Sequence, residues 1–429
     1  MNNALKIATL GYIFIALSAC TSAPSQSDHR EEIKPAVTTP PCLCNESPKT
    51  NATPETKPPA STESAKPTEA AKLADYSLLK PISWDEIEGF DQDNLRLSWP
   101  AWQQSCTALT NKPQWTNVCE TASLISIQTD GKPDDYTVLN YFKAYFSVYK
   151  TTNIDGSDNG LITGYYEPIL KGSRIQSPAF PYPLYAQPAD LITVALDTLY
   201  PELKYKRIRG RLVGNKLIPY YSRAEIEAEQ SPIKEQALIY IDDIIDAFFL
   251  QIQGSGLVQL ENGEEVHIGY ADQNGHAYQS IGQLLIARGE LKASEASMQG
   301  IKNWARNNLN KVRELLNSNP SYVFFRELPK GLVGPLGALG VPLLGEQAIA
   351  VDAKFIPLGA PVFLSTTAPN SIKPLKKLMM AQDTGGAIKG GVRADFYWGS
   401  GVDAGEKAGA MKQTGKMWVL LPKDFILPN

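Results

Sequence analysis

The sequence predicts an α+β fold, mainly β, in which short strands of antiparallel or mixed pairing favour barrels over a doubly wound sheet. Three observations predict it. Strand-like runs a few residues long recur through the middle and the last quarter, each broken by Pro or Gly. Asn262-Gly263, between Val258-Gln-Leu260 and Glu265-Val-His-Ile268, is a strong hairpin signal. Helix-like periodicity is confined to a few stretches, and no internal repeat is present.

In chain order, Met1 to Lys6 carries one positive charge and Ile7 to Ala16 is an apolar run too short for an ordinary spanning helix. Leu17-Ser18-Ala19-Cys20 then resembles a bacterial lipobox. That resemblance implies cleavage before Cys20 and lipidation of its sulfur, with acyl chains holding the chain at a bilayer. A plain secretory signal is the alternative. Thr21 stands where inner-membrane retention would favour Asp, which by analogy points to the outer membrane, facing the periplasm. Residues 21–75 are rich in Pro, Ser, Thr, Ala, Lys and Glu, and bury too little apolar surface to offset ordering entropy; they read as a disordered tether.

Folding is expected to begin near Tyr76, with Ser83 as a possible N-cap and a helix from Leu95 to Leu109. Asp134 to Tyr149 reads as one helix, on an apolar face that includes Leu139, Phe142 and Phe146. Gly160 to Pro168 reads as a strand ending in a turn. Tyr182–Tyr185, Lys206–Leu212 and Ala237–Ile241 are strand-like, and residues 224–230 helical. Ala247 to Gly256 reads as a strand ending in glycines. Residues 280–288 and 294–317 read as helices, and Gln347–Val351, Pro361–Leu364, Leu378–Ala381 and Met417–Leu421 as strands.

Composition excludes several chemistries. The 429 residues suffice for one large or two medium domains. A formal net charge of −4 argues against nucleic-acid binding, which needs a basic surface. Only His29, His267 and His276 are present, none at ligand spacing with a cysteine, so neither a metal nor a cofactor is expected. Export makes disulfides possible: Cys106 and Cys119 are the candidate pair, while Cys42 and Cys44 lie in the tether. Gly385-Gly386-Ala387-Ile388-Lys389-Gly390 lacks phosphate-loop spacing, and no His-Glu-x-x-His or Gly-x-Ser-x-Gly occurs. Carboxylates are then the natural acid–base candidates. Asp383 ends the apolar run 378–381 beside Gly385 and Gly386, which let backbone approach a ligand. Asp395 is flanked by Ala394 and by Phe396-Tyr397-Trp398; such rings are expected to raise its pKa, as a general acid needs, and to offer faces for sugars. The alternative is two turn residues beside core aromatics.

Residues 134 to 425 resemble the membrane-bound lytic murein transglycosylase A family, with a C-terminal 3D-type segment. The resemblance is carried by Thr163-Gly-Tyr-Tyr-Glu-Pro168, Tyr220-Tyr-Ser-Arg-Ala-Glu-Ile226, Phe249-Leu-Gln-Ile-Gln-Gly-Ser-Gly256, Asn319-Pro-Ser-Tyr-Val-Phe-Phe-Arg-Glu327, Gly337-Ala-Leu-Gly-Val-Pro-Leu343, Ala350-Val-Asp352 to Ile356-Pro-Leu-Gly359, and Asp383-Thr-Gly-Gly-Ala-Ile-Lys-Gly390 to Asp395-Phe-Tyr397. Asp352, Asp383 and Asp395 match the trio that names the 3D domain. The resemblance implies a double-psi β-barrel built from 76–168 and 316–429, a β-rich glycan-binding domain inserted at 169–315, and a groove between them.

It also implies cleavage of the β-1,4 bond from MurNAc to GlcNAc in peptidoglycan, with a 1,6-anhydro product. Asp395 would act alone as acid and then base, and Asp383 would orient or stabilise. Tyr165 or Tyr166 is expected to stack on the sugar, the other being core, with Tyr397 at the substrate and Gln251, Gln253 and Ser255 on its polar groups or on a polar sheet face. Arg326, Arg223 and Lys389 are expected on carboxylates, or in structural ion pairs and turns. Expected partners are glycan strands, the membrane and further cell-wall enzymes. Two other functions stay open: a hydrolase using Asp383 and Asp395 through water, at roughly 6.5–9.5 Å carboxyl spacing, and a non-catalytic wall-binding lipoprotein.

Overall fold

The computed structural model describes residues 74–427 except 204, 205 and 207. The lipobox at Cys20, most of the tether, His29, Cys42 and Cys44 lie outside the described residues. The fold is mixed α+β and mainly β.

The chain opens with β1 (Leu79–Ile82), α1 (Trp99–Leu109), α2 (Pro113–Gln128), α3 (Asp135–Tyr145) and β2 (Phe146–Thr151). Pro100 and Pro113 sit in the first turns of α1 and α2, where no N–H partner is lost. Asp134 caps α3 by accepting from the Thr137 N–H. The helix expected to run to Tyr149 stops at Tyr145, because Phe146 and Val148 alternate into the core and residues 146–151 pair with neighbouring strands. α2 escapes sequence reading: among its polar residues only Trp115, Val118, Cys119 and Ala122 form a buried stripe. Cys106 of α1 and Cys119 of α2 form the expected disulfide, their Cα atoms 5.2 Å apart.

Next come β3 (Gly160–Glu167), β4 (Ile169–Ser173), β5 (Tyr182–Tyr185), β6 (Ile192–Thr193), β7 (Arg209–Val213), β8 (Lys216–Pro219), α4 (Arg223–Ile226), β9 (Ala237–Ile241) and α5 (Ile244–Gln253). The run read as a strand at 247–256 is thus mostly helix. Asp243 caps it with bonds from the Ile245 and Asp246 N–H groups, and Gly254 ends it at φ 83°. Apolar residues surround this helix on several faces, so its period is unreadable in the sequence.

The chain then forms β10 (Ser255–Leu260), β11 (Glu265–Gln273), α6 (Ile281–Ala287), α7 (Met298–Asn307), α8 (Leu309–Asn317) and β12 (Val323–Glu327). The β10–β11 hairpin forms around Asn262-Gly263 as expected, and the helix expected at 294–317 is broken at Asn308. Last are β13 (Ala348–Val351), β14 (Pro361–Thr367), β15 (Pro374–Asp383), β16 (Arg393–Ser400), α9 (Val402–Ala410) and β17 (Lys412–Pro422).

Among the described residues one sheet has the order β1-β2-β17-β14-β15-β13-β16-β3, and β17 pairs a second time with β3. The pairings β17-β14-β15-β13-β16-β3 therefore close on themselves. Phe146, Ile349, Val351, Phe363, Met379, Phe396 and Leu420 fill its core, joined by Trp99 and Trp102 of α1. A second sheet has the order β12-β11-β10-β4-β9-β5, and a small one β6-β7-β8. β12, placed by sequence in the segment returning to the first sheet, pairs with β11 in the second.

Candidate active site

Strand register brings the acidic residues together. Ala350 of β13 pairs with Asp383 of β15 on one side and with Asp395 of β16 on the other. Partners across a sheet share a face, so the two carboxylates flank one small side chain, their Cα atoms about 10 Å apart over two strand spacings. Asp395 pairs in turn with Thr163 of β3, and Tyr397 with Tyr165. One sheet face thus carries Thr163, Tyr165, Asp395, Tyr397, Ala350 and Asp383. Asp383 reaches it through a bulge: Ile349 pairs with Ala381 and Ala350 with Asp383, leaving Gln382 unpaired in the ladder. Gln382 turns into the core and donates to the Ala101 carbonyl and the Ser105 hydroxyl of α1.

Each carboxylate is held differently. Asp383 Oδ1 accepts from the N–H groups of Ala338 (2.9 Å) and Thr384 (2.8 Å), and Oδ2 from the Tyr165 hydroxyl (3.0 Å). The loop donating from Ala338 comes this close because residue 337 is glycine; a Cβ there would lie 2.5 Å from the Gln382 carbonyl oxygen. Burial pushes the Asp383 carboxyl up to about 6; its three donors oppose the rise and the Asp395 charge adds to it. Asp395 Oδ1 accepts from the Thr163 hydroxyl at 2.5 Å, and Arg393 Nη2 donates to the same hydroxyl oxygen at 2.9 Å. Its Oδ2 accepts no hydrogen bond among the described residues. Burial raises its pKa as well, against the Thr163 bond and the Arg393 charge. Burial, followed by the Asp383 and Asp395 charges, pushes the Tyr165 phenol well up, so it remains a donor.

The flanking rings do not act on Asp395 as the sequence suggested. Successive residues of a strand point to opposite faces. Phe396 is buried in the core, where it stacks on Trp398 with ring centroids 4.5 Å apart. Only Tyr397 shares the carboxylate's neighbourhood, packed on Tyr165 with centroids 5.1 Å apart. Tyr165, Tyr166 and Tyr397 are all buried, so none offers a free face to a sugar. Tyr166 packs against Ala404 and Ala408 of α9 and is a core residue.

A cleft of about 1220 Å³ opens where the second sheet and α5 face the loops at 336–343 and 383–387. Of the expected site residues, Asp383, Gly385, Gly386, Gln251, Gln253, Ser255, Arg223 and Arg326 line it; Asp395 and Lys389 do not. Gln251 and Gln253 stand on helix α5, not on a sheet face. Gln251 is buried and accepts from Arg223 Nη2 (2.7 Å), and Gln253 accepts from the Tyr166 N–H (3.1 Å). Arg223 is buried and paired with Glu227 at 2.8 Å, a structural role. Lys389 is exposed, 3.9 Å from Asp352. Asp352 itself anchors the Gly-rich loop, accepting from the N–H groups of Gly390 and Lys354.

Sequence reading missed three groups. Thr163 was quoted in a motif without a role. Tyr270 and Tyr278 line the cleft at 37% and 52% exposure. Asn274 is buried and ties the cleft wall by donating to the Tyr221 and Pro320 carbonyls. Its signal was the run Asp272-Gln-Asn274 on a strand end. No group of three metal-ligating side chains occurs among the described residues.

Comparison with known proteins follows the same lines. Residues 161–326 match the MltA specific insert domain and residues 347–421 the 3D domain. The membrane-bound lytic murein transglycosylase A of Escherichia coli K12 is 36% identical over 273 residues, 62% of this chain and 67% of that protein. The crystal structure of MltA from Neisseria gonorrhoeae, monoclinic form, is 37% identical with a TM-score of 0.70, covering 81% of this chain and 93% of that one. Escherichia coli MltA with bound chitohexaose is 29% identical with a TM-score of 0.59, covering 80% and 91%.

Proposed function

The chain belongs to the membrane-bound lytic murein transglycosylase A family, and we propose that it cleaves the β-1,4 bond between MurNAc and GlcNAc in peptidoglycan with formation of 1,6-anhydro-MurNAc. The observation that carries this reading is the pair of half-buried carboxylates flanking Ala350 on one sheet face, one of them at the cleft. Asp395, in the protonated form that burial favours, gives its proton to the glycosidic oxygen as the bond to the MurNAc anomeric carbon breaks. The carboxylate left behind takes the proton of the same sugar's C6 hydroxyl. That oxygen attacks the anomeric carbon and closes the anhydro ring; the tethered nucleophile replaces water. The absence, among the described residues, of a donor on Asp395 Oδ2 supports this role, since an oxygen that must carry and release a proton needs a free lone pair. Asp383, clamped by three donors, stays ionised above about pH 6 and stabilises the positive charge developing at the anomeric carbon.

One observation favours a second reading. Asp383 lines the cleft and burial pushes its carboxyl up to about 6, whereas Asp395 stands two strands away on β16, outside the cleft lining. Asp383 would then carry the proton, or both would act through water as a hydrolase pair. Purified chain is incubated with murein sacculi and the muropeptides are weighed. Anhydro products from the native chain, none from Asp395→Asn, and residual product from Asp383→Asn support the first reading. Products heavier by one water sink it in favour of hydrolysis. Loss confined to Asp383→Asn assigns the acid to Asp383.

We further infer that the closed ring of strands is a double-psi β-barrel formed by 76–168 and 316–429, with 169–315 as the glycan-binding insert. The pairing of β12 with β11 favours extending the insert to Glu327. No helix among the described residues is long and apolar enough to cross a membrane. Anchorage through lipid on Cys20, at the outer membrane and facing the periplasm, is the proposal for localisation. Its test is labelled palmitate incorporation lost in Cys20→Ala.

A further inference from the structure

This inference rests on the transglycosylase reading and concerns what the glycan strand carries. Charge is distributed unevenly along the cleft. Lys206, Arg209, Arg223 and Arg326 line it, against Asp383 as its carboxylate, in a chain of net charge −4. Two of these cations are already neutralised. Arg209 Nε lies 2.9 Å from both Asp272 oxygens, and Arg223 is paired with Glu227. Arg326 and Lys206 form no ion pair among the described residues, and both are exposed.

Strand geometry explains why Arg326 stays unpaired beside Glu327. Neighbours on β12 point to opposite faces. Glu327 turns away from the cleft, where both its oxygens are taken by Arg174. Arg326, paired in register with Gly269, faces the cleft, and Gly269 has no side chain to cover it. A concave wall focuses the field of such a charge on whatever binds there. A planar guanidinium suits a carboxylate, which it can hold in a bidentate contact.

We propose that Arg326, assisted by Lys206, binds a carboxylate carried by the glycan strand, so that the cleft selects anionic strands over neutral β-1,4-linked N-acetylglucosamine. The carboxylate can come from the lactyl group of a stripped MurNAc or from a peptide attached to it.

Binding to the detergent-solubilised full chain is measured by calorimetry in the Asp395→Asn background, which keeps the strands intact. Three ligands are compared: chitohexaose, amidase-stripped strands with free lactyl carboxylates, and peptide-bearing strands. Anionic strands are expected to bind about tenfold more tightly than chitohexaose at low salt, the worth of one charge-assisted contact. The preference should shrink as salt rises. Arg326→Gln should bring the ratio close to one, Arg326→Lys should keep part of it, and Lys143→Gln on α3 should leave it as it was. The anionic ligand whose advantage Arg326→Gln abolishes identifies the source, lactyl or peptide. Equal affinity of native cleft residues for all three ligands, or a ratio that survives Arg326→Gln, overturns the proposal. Muropeptide masses from the unmutated chain are read separately, so a failed transglycosylase reading shows there while the affinity ratios still decide the charge selection.

Discussion

Asp383→Asn should make this protein more stable at pH 8, at the expense of activity. The native carboxyl has an ordinary value of 3.8 and is pushed up to about 6 by burial. Between about pH 4 and 6 the folded state therefore keeps a proton that the unfolded chain has lost. Stability falls as pH rises through this window and is level above it. At about 1.4 kcal/mol per pH unit, the gap from 3.8 to about 6 corresponds to about 3 kcal/mol. An asparagine has no charge to desolvate. Its Oδ1 can keep the Ala338 and Thr384 N–H bonds, and its amide can donate to the Tyr165 oxygen in place of the bond it received. The variant should thus exceed the native chain by about 2–3 kcal/mol at pH 8 and match it below pH 4. Urea unfolding at pH 4, 6 and 8 gives the comparison. A variant less stable than the native chain at pH 8, or a difference that does not change with pH, would refute the assignment of a desolvated, destabilising carboxylate.

Three further outcomes are expected. Tyr165→Phe keeps the ring packed on Tyr397 but removes a donor that favours ionised Asp383; the acidic limb of the rate profile should move up by about one pH unit. Thr163→Val removes the donor to Asp395, so the carboxyl holds its proton to higher pH and the alkaline limb should rise by about one to two pH units, with Thr163→Ser restoring it. An unmoved limb in either variant would count against the corresponding role. The double change Cys106→Ala and Cys119→Ala should cost about 3 kcal/mol in denaturant unfolding, since the bridge closes a short loop between two packed helices; a cost under ~1 kcal/mol would contradict that.

Much of the site was legible because its signals are local. An alternating strand places Asp395 and Tyr397 on one face whatever surrounds it, and an apolar run ending in Asp-Thr-Gly-Gly marks a strand end at a loop. The same alternation was misapplied to the rings beside Asp395, because sequence adjacency was taken for spatial adjacency. One of Tyr165 and Tyr166 was expected in the core and the other, with Tyr397, at the sugar; all three are buried, and a tyrosine's identity alone does not tell whether its ring meets a ligand or the core. Arg223 was left between substrate and ion pair, and Glu227 four residues on was the available clue.

By itself, the sequence determined the mainly β class, the Asn262-Gly263 hairpin, the disulfide partners and the acidic pair, because each follows from short-range backbone preference or residue chemistry. Only the tertiary structure decided how Asp383 faces Asp395. That depends on a one-residue bulge at Gln382, held by bonds to α1 from residues about 280 positions earlier in the chain. Without the bulge, strand periodicity would send Asp383 to the other face. The identity of α5 and the make-up of the cleft were decided in the same way, by contacts between segments distant in sequence, which local patterns do not encode.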